Sequence, residues 1–252
     1  MKIITFITQV HNTDNIIIRD VPVSSTIIEL SDHYLAIIDT GLADNPALLS
    51  ELAEWNYCPA DFDLVINTHL HCDHIGGNKL FKNARIIISR REYEYEKYFG
   101  QALRESNDAV KSLSSLGRQV DASTSILAND LKKLAESYLV SSLVGRPEQL
   151  EYFEDLPLLP PGLSLVPAPG HSIAGYAVCL EGTDGRALVT GDALYHRDLW
   201  KEASVPGISY NEEMFKKTAR KLAKFKGIII PGHDRAFNNL THQYLEDDCF
   251  LL

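Results

Sequence analysis

No stretch of this chain approaches the roughly 18 consecutive apolar residues that a membrane-spanning helix requires. Positive charge is also in short supply, with 24 Lys and Arg against 34 Asp and Glu and a formal net charge of -10. The first absence speaks against a membrane partner. The second speaks against nucleic acid, whose footprint on a protein is a dense basic patch, so the expected partner is a small-molecule substrate. Cysteine is sparse too: Cys58, Cys72, Cys179 and Cys249 form neither a C-x-x-C pair nor a disulfide framework, which leads to a reducing, cytoplasmic setting as the expectation. The apolar Ile3 to Ile7 stretch is too short for a signal-peptide core and no small-residue cleavage pattern follows it. It reads as a first strand. Low-complexity tracts and internal repeats are absent, and residues 1–252 read as one domain, with a homodimer left open.

What is present is a series of short β-branched runs. Lys2 to Gln9, Ser25 to Leu30 and Tyr34 to Asp39 suggest a meander of strands, with Gly41 turning the chain after Asp39 and Thr40. Leu48, Leu49, Leu52, Ala53 and Trp55 recur near helical spacing. Leu64 to Asn67 and Ile86 to Ser89 are strands again. Tyr95, Tyr98, Phe99, Ala102 and Leu103 then form an apolar helical stripe, and Leu127, Leu131, Leu134 and Tyr138 form a second, so residues 91–150 are expected to be a helical insertion or lid. Strand signals return at Leu163 to Val166, Tyr176 to Leu180 and Ala187 to Thr190. Asn211 can cap a helix with Glu212 and Glu213 in its first turn and a solvated basic face from Lys216 onward. Ile228 to Ile230 reads as the final buried strand.

The informative cluster is T-H-L-H-C-D-H-I-G-G from Thr68 to Gly77, which packs His69, His71, Asp73 and His74 into six positions after a strand. Burying that many polar groups without partners costs several kcal/mol by rough transfer estimates. A metal ion supplies the partner. Three more places set a metal-ligand residue beside glycine just past a predicted strand: Gly170-His171-Ser172, Gly191-Asp192-Ala193 and Gly232-His233-Asp234.

These seven side chains are too many for one tetrahedral catalytic ion, which takes about three protein ligands and water. Two ions divide the set if a carboxylate bridges them. Asp192 is the natural bridge, with Asp73 the alternative at this point. Histidine-rich ligation suits zinc, iron, manganese or cobalt, with zinc the first expectation, and disfavours magnesium and calcium. Outside the set, His11, His33, His196 and His242 stand alone and read as surface or hydrogen-bonded residues.

The H-x-H-x-D-H run, followed in order by Pro169-Gly170-His171-Ser172, Thr190-Gly191-Asp192-Ala193 and Pro231-Gly232-His233-Asp234, resembles the metallo-β-lactamase superfamily. Ile38-Asp39-Thr40-Gly41 is similar to its early strand-turn motif. The resemblance implies an α/β fold, a four-layer αββα sandwich with the helical insertion added. It also implies a ligand division: His69, His71 and His171 for one ion, Asp73, His74 and His233 for the other, Asp192 between them. β-Lactamases of this type often carry cysteine where this chain has Asp192, so antibiotic hydrolysis is demoted.

Among the hydrolase branches the chain most resembles the N-acyl homoserine lactonases, the quorum-quenching group. Tyr195 stands where those enzymes place a tyrosine that contacts the substrate carbonyl, and Arg91-Glu92-Tyr93-Glu94 resembles their strand-to-helix junction. In the histidine motif Cys72 replaces the aromatic residue usual in those enzymes, and residues 91–150 are longer than their insert. The implied reaction is cleavage of a lactone or ester by hydroxide held at a pair of divalent transition metal ions. Tyr195 would polarise the carbonyl and Asp73 would shuttle the proton to the leaving alkoxide. The alternatives are a thioesterase of the hydroxyacylglutathione hydrolase type and a mononuclear iron dioxygenase of the same fold.

Overall fold

The computed structural model describes residues 1–11, 14–30, 33–118, 120–202 and 209–252. Strands β1 (Lys2–Gln9), β2 (Pro22–Glu29) and β3 (Leu35–Ile38) form the antiparallel meander expected from their β-branched residues. Helix α1 (Pro46–Glu54) starts on Pro46, and the Asn45 side chain accepts from the Ala47 N–H to cap it. The chain then returns as β4 (Leu64–Ile66), parallel to β3. A single turn, α2 (Cys72–Ile75), follows, and β5 (Arg85–Ile88) adds to the sheet in parallel.

Four helices come next: α3 (Arg90–Glu105), α4 (Ala109–Ser115), α5 (Ala122–Ser137) and α6 (Val140–Leu143). Ser89, Asp108 and Asp121 cap the first three by accepting from backbone N–H groups. Phe99 and Leu103 of α3 pack on Leu113 of α4 and Ala128 of α5, whereas Tyr98, read as part of the stripe, is 64% exposed. The apolar face is narrower than its spacing suggests. The helical segment closes at β6 (Leu150–Tyr152), which pairs in parallel with β5.

The second sheet holds β7 (Leu163–Pro167), β8 (Tyr176–Glu181) and β9 (Arg186–Gly191), antiparallel in sequence. After α7 (Arg197–Glu202) and α8 (Glu212–Leu222), strand β10 (Ile228–Pro231) lies parallel to β9. Asn211 caps α8 as expected, accepting from the Met214 N–H. Ile228 to Ile230 is not the last strand. β11 (Phe237–Asn238) pairs with β10, and β12 (Cys249–Leu251) crosses to the first sheet to pair with β1. Both are too short to carry a signal of their own.

The two sheets stack face to face. Ile28, Ile38, Leu64 and Ile87 of the first meet Val178, Leu180, Val189 and Ile230 of the second in a dry layer. On the far side of the first sheet lie Leu48 and Leu52 of α1 with Leu143 of α6, and on the far side of the second lies Leu222 of α8. This gives the four layers, helix, sheet, sheet, helix. No described helix is long and apolar enough to cross a membrane.

Candidate metal centre

The polar clusters all follow strands that end at one edge of the sandwich: Thr68 to His74 after β4, His171 after β7, Asp192 after β9 and His233 after β10. Carboxyl ends of strands are where open α/β sheets place ligands. Hydrogen bonds tie the sheets together at that edge, from Tyr176 N–H to Thr68 O at 2.8 Å and from Ser24 N–H to Gly232 O at 2.8 Å. Glycine is required where the loops meet. Gly191 has φ +49°, and a Cβ there would stand 2.2 Å from Thr68 Oγ1.

All seven residues singled out by the motifs converge. His69, His71, His171 and Asp192 form one group, and Asp73, His74 and His233 another, with candidate donor atoms in each within 4.8 Å of one another. His171 Nε2 is 3.0 Å from His71 Nδ1 and 3.2 Å from Asp192 Oδ2, which is 3.9 Å from His69 Nε2. On the other side His74 Nε2 is 3.3 Å from His233 Nε2, and both lie 3.8 Å from Asp73 Oδ2. Asp192 Oδ1 faces this group, 3.3 Å from His74 Nε2 and 3.1 Å from His233 Nε2, which is also 3.1 Å from Asp192 Oδ2. The Asp192 carboxylate therefore stands between the two groups, whereas Asp73 belongs to one.

The outward ring nitrogens explain which lone pairs point inward. Asp39, in left-handed backbone at φ 57°, takes the Thr68 N–H on Oδ1 at 2.8 Å and the Thr68 hydroxyl on Oδ2 at 2.7 Å. The same Oδ2 is 2.9 Å from His74 Nδ1, and Thr68 Oγ1, its proton given to Asp39, is 3.1 Å from His69 Nδ1. Pro22 O faces His233 Nδ1. With a proton on Nδ1 toward these acceptors, each of these rings would offer its Nε2 to a cation. Asp39 is also near His69 and His74 as a third possible donor group, but its oxygens are already taken by these donors.

Electrostatics separate the two sides. Burial holds His69 and His171 well below the ordinary histidine value, and it brings His71 down to about 4, so these three rings are neutral. For His74 burial acts the same way, yet Asp192, Asp73 and Asp39 outweigh it and raise the ring well above its ordinary value. Asp192 is buried as well, and His233, His74 and His171 nonetheless hold it well below the usual carboxylate range. A field that draws a proton onto His74 draws a divalent cation more strongly.

The donor set fits metal ions. Two donors held about 2.0 to 2.1 Å from one tetrahedral ion stand about 3.3 to 3.4 Å apart, and most donor pairs here fall between 3.0 and 3.9 Å. Buried His69 Nε2 and Asp192 Oδ1 make no hydrogen bond. Imidazole lone pairs that face one another with nothing between are unfavourable, and a cation removes that cost. His69, His71 and His171 could hold one ion and Asp73, His74 and His233 the other, with Asp192 shared.

The centre opens into a cavity of about 260 Å³ that runs beneath the helical segment. His71, Asp73, Asp192, Tyr195 and His233 line one end, and Ile18, Leu70, Phe99, Leu134 and Tyr138 line the rest. Cys72 is in its wall, where an aromatic side chain would fill space. Tyr195 stacks on His233 with ring centroids 3.9 Å apart, and burial, with Asp192 and Asp73 nearby, raises its phenol so that it stays an O–H donor.

Sequence reasoning gave no role to three residues that matter here. Asp39 and Thr68 orient the imidazoles. Glu92, fully buried, takes the Leu70 N–H at 2.7 Å, the Ser172 hydroxyl at 2.8 Å and the Ala174 N–H at 3.3 Å, so it ties the His69–His71 loop to the His171 loop. Burial pushes Glu92 up to about 7 against these donors. The signal for Asp39 and Glu92 was their place in noted motifs. His11 pairs with Asp20, His196 is 3.5 Å from Asp234, and His242 stacks on Phe237. None of them, nor exposed His33, joins the donor groups.

The sequence matches the metallo-beta-lactamase superfamily over residues 18–233, and the chain belongs to it. An N-acyl homoserine lactonase of Bacillus cereus is 28% identical over 198 residues, 77% of this chain and 64% of the relative, so the match spans less than two thirds of that protein. A Methanocaldococcus jannaschii protein named a probable metallo-hydrolase is 34% identical over 199 residues, covering 79% of this chain and 70% of the relative. Among solved structures, AidC, a dizinc quorum-quenching lactonase, superposes with a TM-score of 0.62 at 17% identity, covering 85% of this chain and 73% of AidC. A quorum-quenching N-acyl homoserine lactone hydrolase gives 0.59 at 20% identity, covering 92% of each chain. At these identities the likeness is one of fold.

Proposed function

We propose that this protein is a dinuclear metal-dependent hydrolase that opens a lactone, or cleaves an ester, of a small acylated molecule. The observation that carries the reading is the Asp192 carboxylate between two complete donor groups at the mouth of an apolar cavity. A dioxygenase of this fold needs only two histidines and a carboxylate, and would leave Asp73, His74 and His233 without a purpose. When bound, a pair of divalent ions supplies Lewis acidity and hydroxide at neutral pH. Zinc is the first candidate.

The chain's own residues supply the rest. The apolar cavity receives the acyl chain and excludes water around the carbonyl. Tyr195 donates its phenolic proton in a hydrogen bond to the carbonyl oxygen, where negative charge develops. Asp73, in the same wall, would take up at a carboxylate oxygen the proton that the attacking hydroxide gives up and pass it to the leaving alkoxide. Asp39, Thr68 and Glu92 keep the imidazoles in register.

Similarity to lactonases supports an acyl homoserine lactone as substrate and a quorum-quenching role, and four unpaired cysteines support a cytoplasmic setting. The test is a panel of an N-acyl homoserine lactone, a simple alkyl ester and an S-acyl glutathione, each with protein reconstituted in zinc, manganese, iron(II) or cobalt. Lactone opening should exceed the other two activities. Turnover of the thioester alone would make the protein a thioesterase, and turnover of none with any metal would overturn the proposal.

A further inference from the structure

The cavity also holds a cation that hydrolysis does not use. Arg118 lines its wall from the segment between α4 and α5. The guanidinium carbon lies 5.9, 5.0 and 5.3 Å from the ring centroids of Tyr95, Phe99 and Tyr210. Aromatic rings hold a guanidinium by its face and leave its N–H edge to a further partner. Here Nη1 is buried and makes no hydrogen bond, and a buried donor without a partner is costly.

Among the described residues no carboxylate lies within ion-pair distance of Arg118. The wall's other cations are engaged elsewhere, Lys97 with Glu94 and over the Tyr93 ring, Arg104 with the Ala135 carbonyl. Glu96 is half-buried in the same wall. Burial pushes it up to about 8, with Glu92 adding and Arg118 opposing, so near neutral pH it is mostly protonated. Arg118 is thus a partly buried guanidinium in the wall of a space that a ligand can enter, with one of its nitrogens lacking a partner among the described residues.

We propose that Arg118 is the seat for a second carboxylate carried by the substrate, so that acyl chains bearing an acid are preferred over neutral ones. This rests on the hydrolase reading for the position of the scissile end. A planar carboxylate matches the free edge of a guanidinium with two parallel N–H···O bonds, which a neutral terminus does not offer. The remaining wall, made of Ile17, Ile18, Leu131 and Leu134 among others, suits the methylene chain between the two ends.

The test is calorimetric binding of straight-chain dicarboxylates, in a graded series of lengths, and monocarboxylates of equal length to the zinc-loaded protein. One carboxylate can occupy the metal end and the second can reach Arg118. Wild type should bind a diacid of one best length about 10- to 100-fold tighter than the matching monoacid, the span of a charge-assisted hydrogen bond. In Arg118→Gln that ratio should fall to about one, and Arg118→Lys, which keeps the charge without the fork, should retain part of it. Diacids that never outbind monoacids in wild type would overturn the proposal, as would a preference that survives in Arg118→Gln. Binding is read without turnover. A protein that turns over none of the lactone, ester and thioester yet prefers the diacid loses the hydrolase reading and keeps the anion seat, whereas one that hydrolyses them without that preference loses the seat alone.

Discussion

Replacing Asp39 with Asn changes one atom and should disable half of the centre. Asp39 accepts three protons on two oxygens: the Thr68 N–H on Oδ1, and the Thr68 hydroxyl and His74 Nδ1–H on Oδ2. An amide offers an oxygen on one side only. With oxygen toward the Thr68 N–H, the amide nitrogen confronts His74 Nδ1–H, and the clash is relieved when the ring moves its proton to Nε2. That nitrogen then has no lone pair for a cation. Asn is also a residue that tolerates the left-handed backbone found here, so the loop itself should hold. Loss of such an orienting partner typically costs about 10- to 100-fold in metal affinity, or about 1.4 to 2.7 kcal/mol. The ion held by His74 should be the first to leave. Titration with a zinc chelator should resolve two affinities in wild type and show the weaker one displaced by that factor in Asp39→Asn, with the melting temperature of the metal-free protein nearly unchanged. Two ions held at wild-type affinity would refute the tautomer argument.

Other substitutions test separate parts of the account. Tyr195→Phe keeps the stack on His233 and should keep the metal content, while slowing lactone turnover about 10- to 1000-fold, a bracket around loss of one oxyanion donor; unchanged turnover would make Tyr195 a packing residue. In Gly232→Ala the new Cβ would stand 2.0 Å from Asp192 Oδ1 and 2.9 Å from the Gly191 carbonyl carbon. It should displace the shared carboxylate, leave one ion or none by elemental analysis, and cost about 1 to 3 kcal/mol by overpacking; wild-type metal content would contradict the placement of Asp192. Glu96 is raised to about 8 in the folded chain, chiefly by burial and then by Glu92, with Arg118 opposing. The folded state thus holds its proton more tightly than the unfolded state, so this contribution to stability is complete below about pH 4.5 and is lost as pH rises through about 8. Melting of the metal-free protein should fall across that window in wild type and less in Glu96→Gln. Parallel profiles would show that Glu96 titrates as an ordinary exposed acid.

The donor residues were legible because their signal is local. His69, His71, Asp73 and His74 stand within six positions, and His171, Asp192 and His233 each sit beside a glycine just past a strand. The long β-branched runs were legible for the same reason, since a strand such as β1 carries enough alternation and branching to declare itself. β6, β11 and β12 were not, because two or three residues without the continuous branched apolar run of β4 are set by the neighbour they pair with. β12 is specified by β1, 245 to 249 positions away in sequence. The supporting residues follow the same logic. Asp39 gains its meaning from Thr68 and His74, 29 and 35 residues on. Arg118 belongs to no periodic stripe and becomes conspicuous only once Tyr95, Phe99 and Tyr210 enclose it. Spacing reports which side chains share a face, and distance in the fold reports which of them leave a need unmet.

The most direct measurement is an anomalous-diffraction map of crystals grown with zinc, recorded on both sides of the zinc absorption edge. The account predicts two peaks about 3.5 to 4 Å apart, one beside His69, His71 and His171, one beside Asp73, His74 and His233, with the Asp192 carboxylate touching both. A single peak, or two that do not share Asp192, would contradict it.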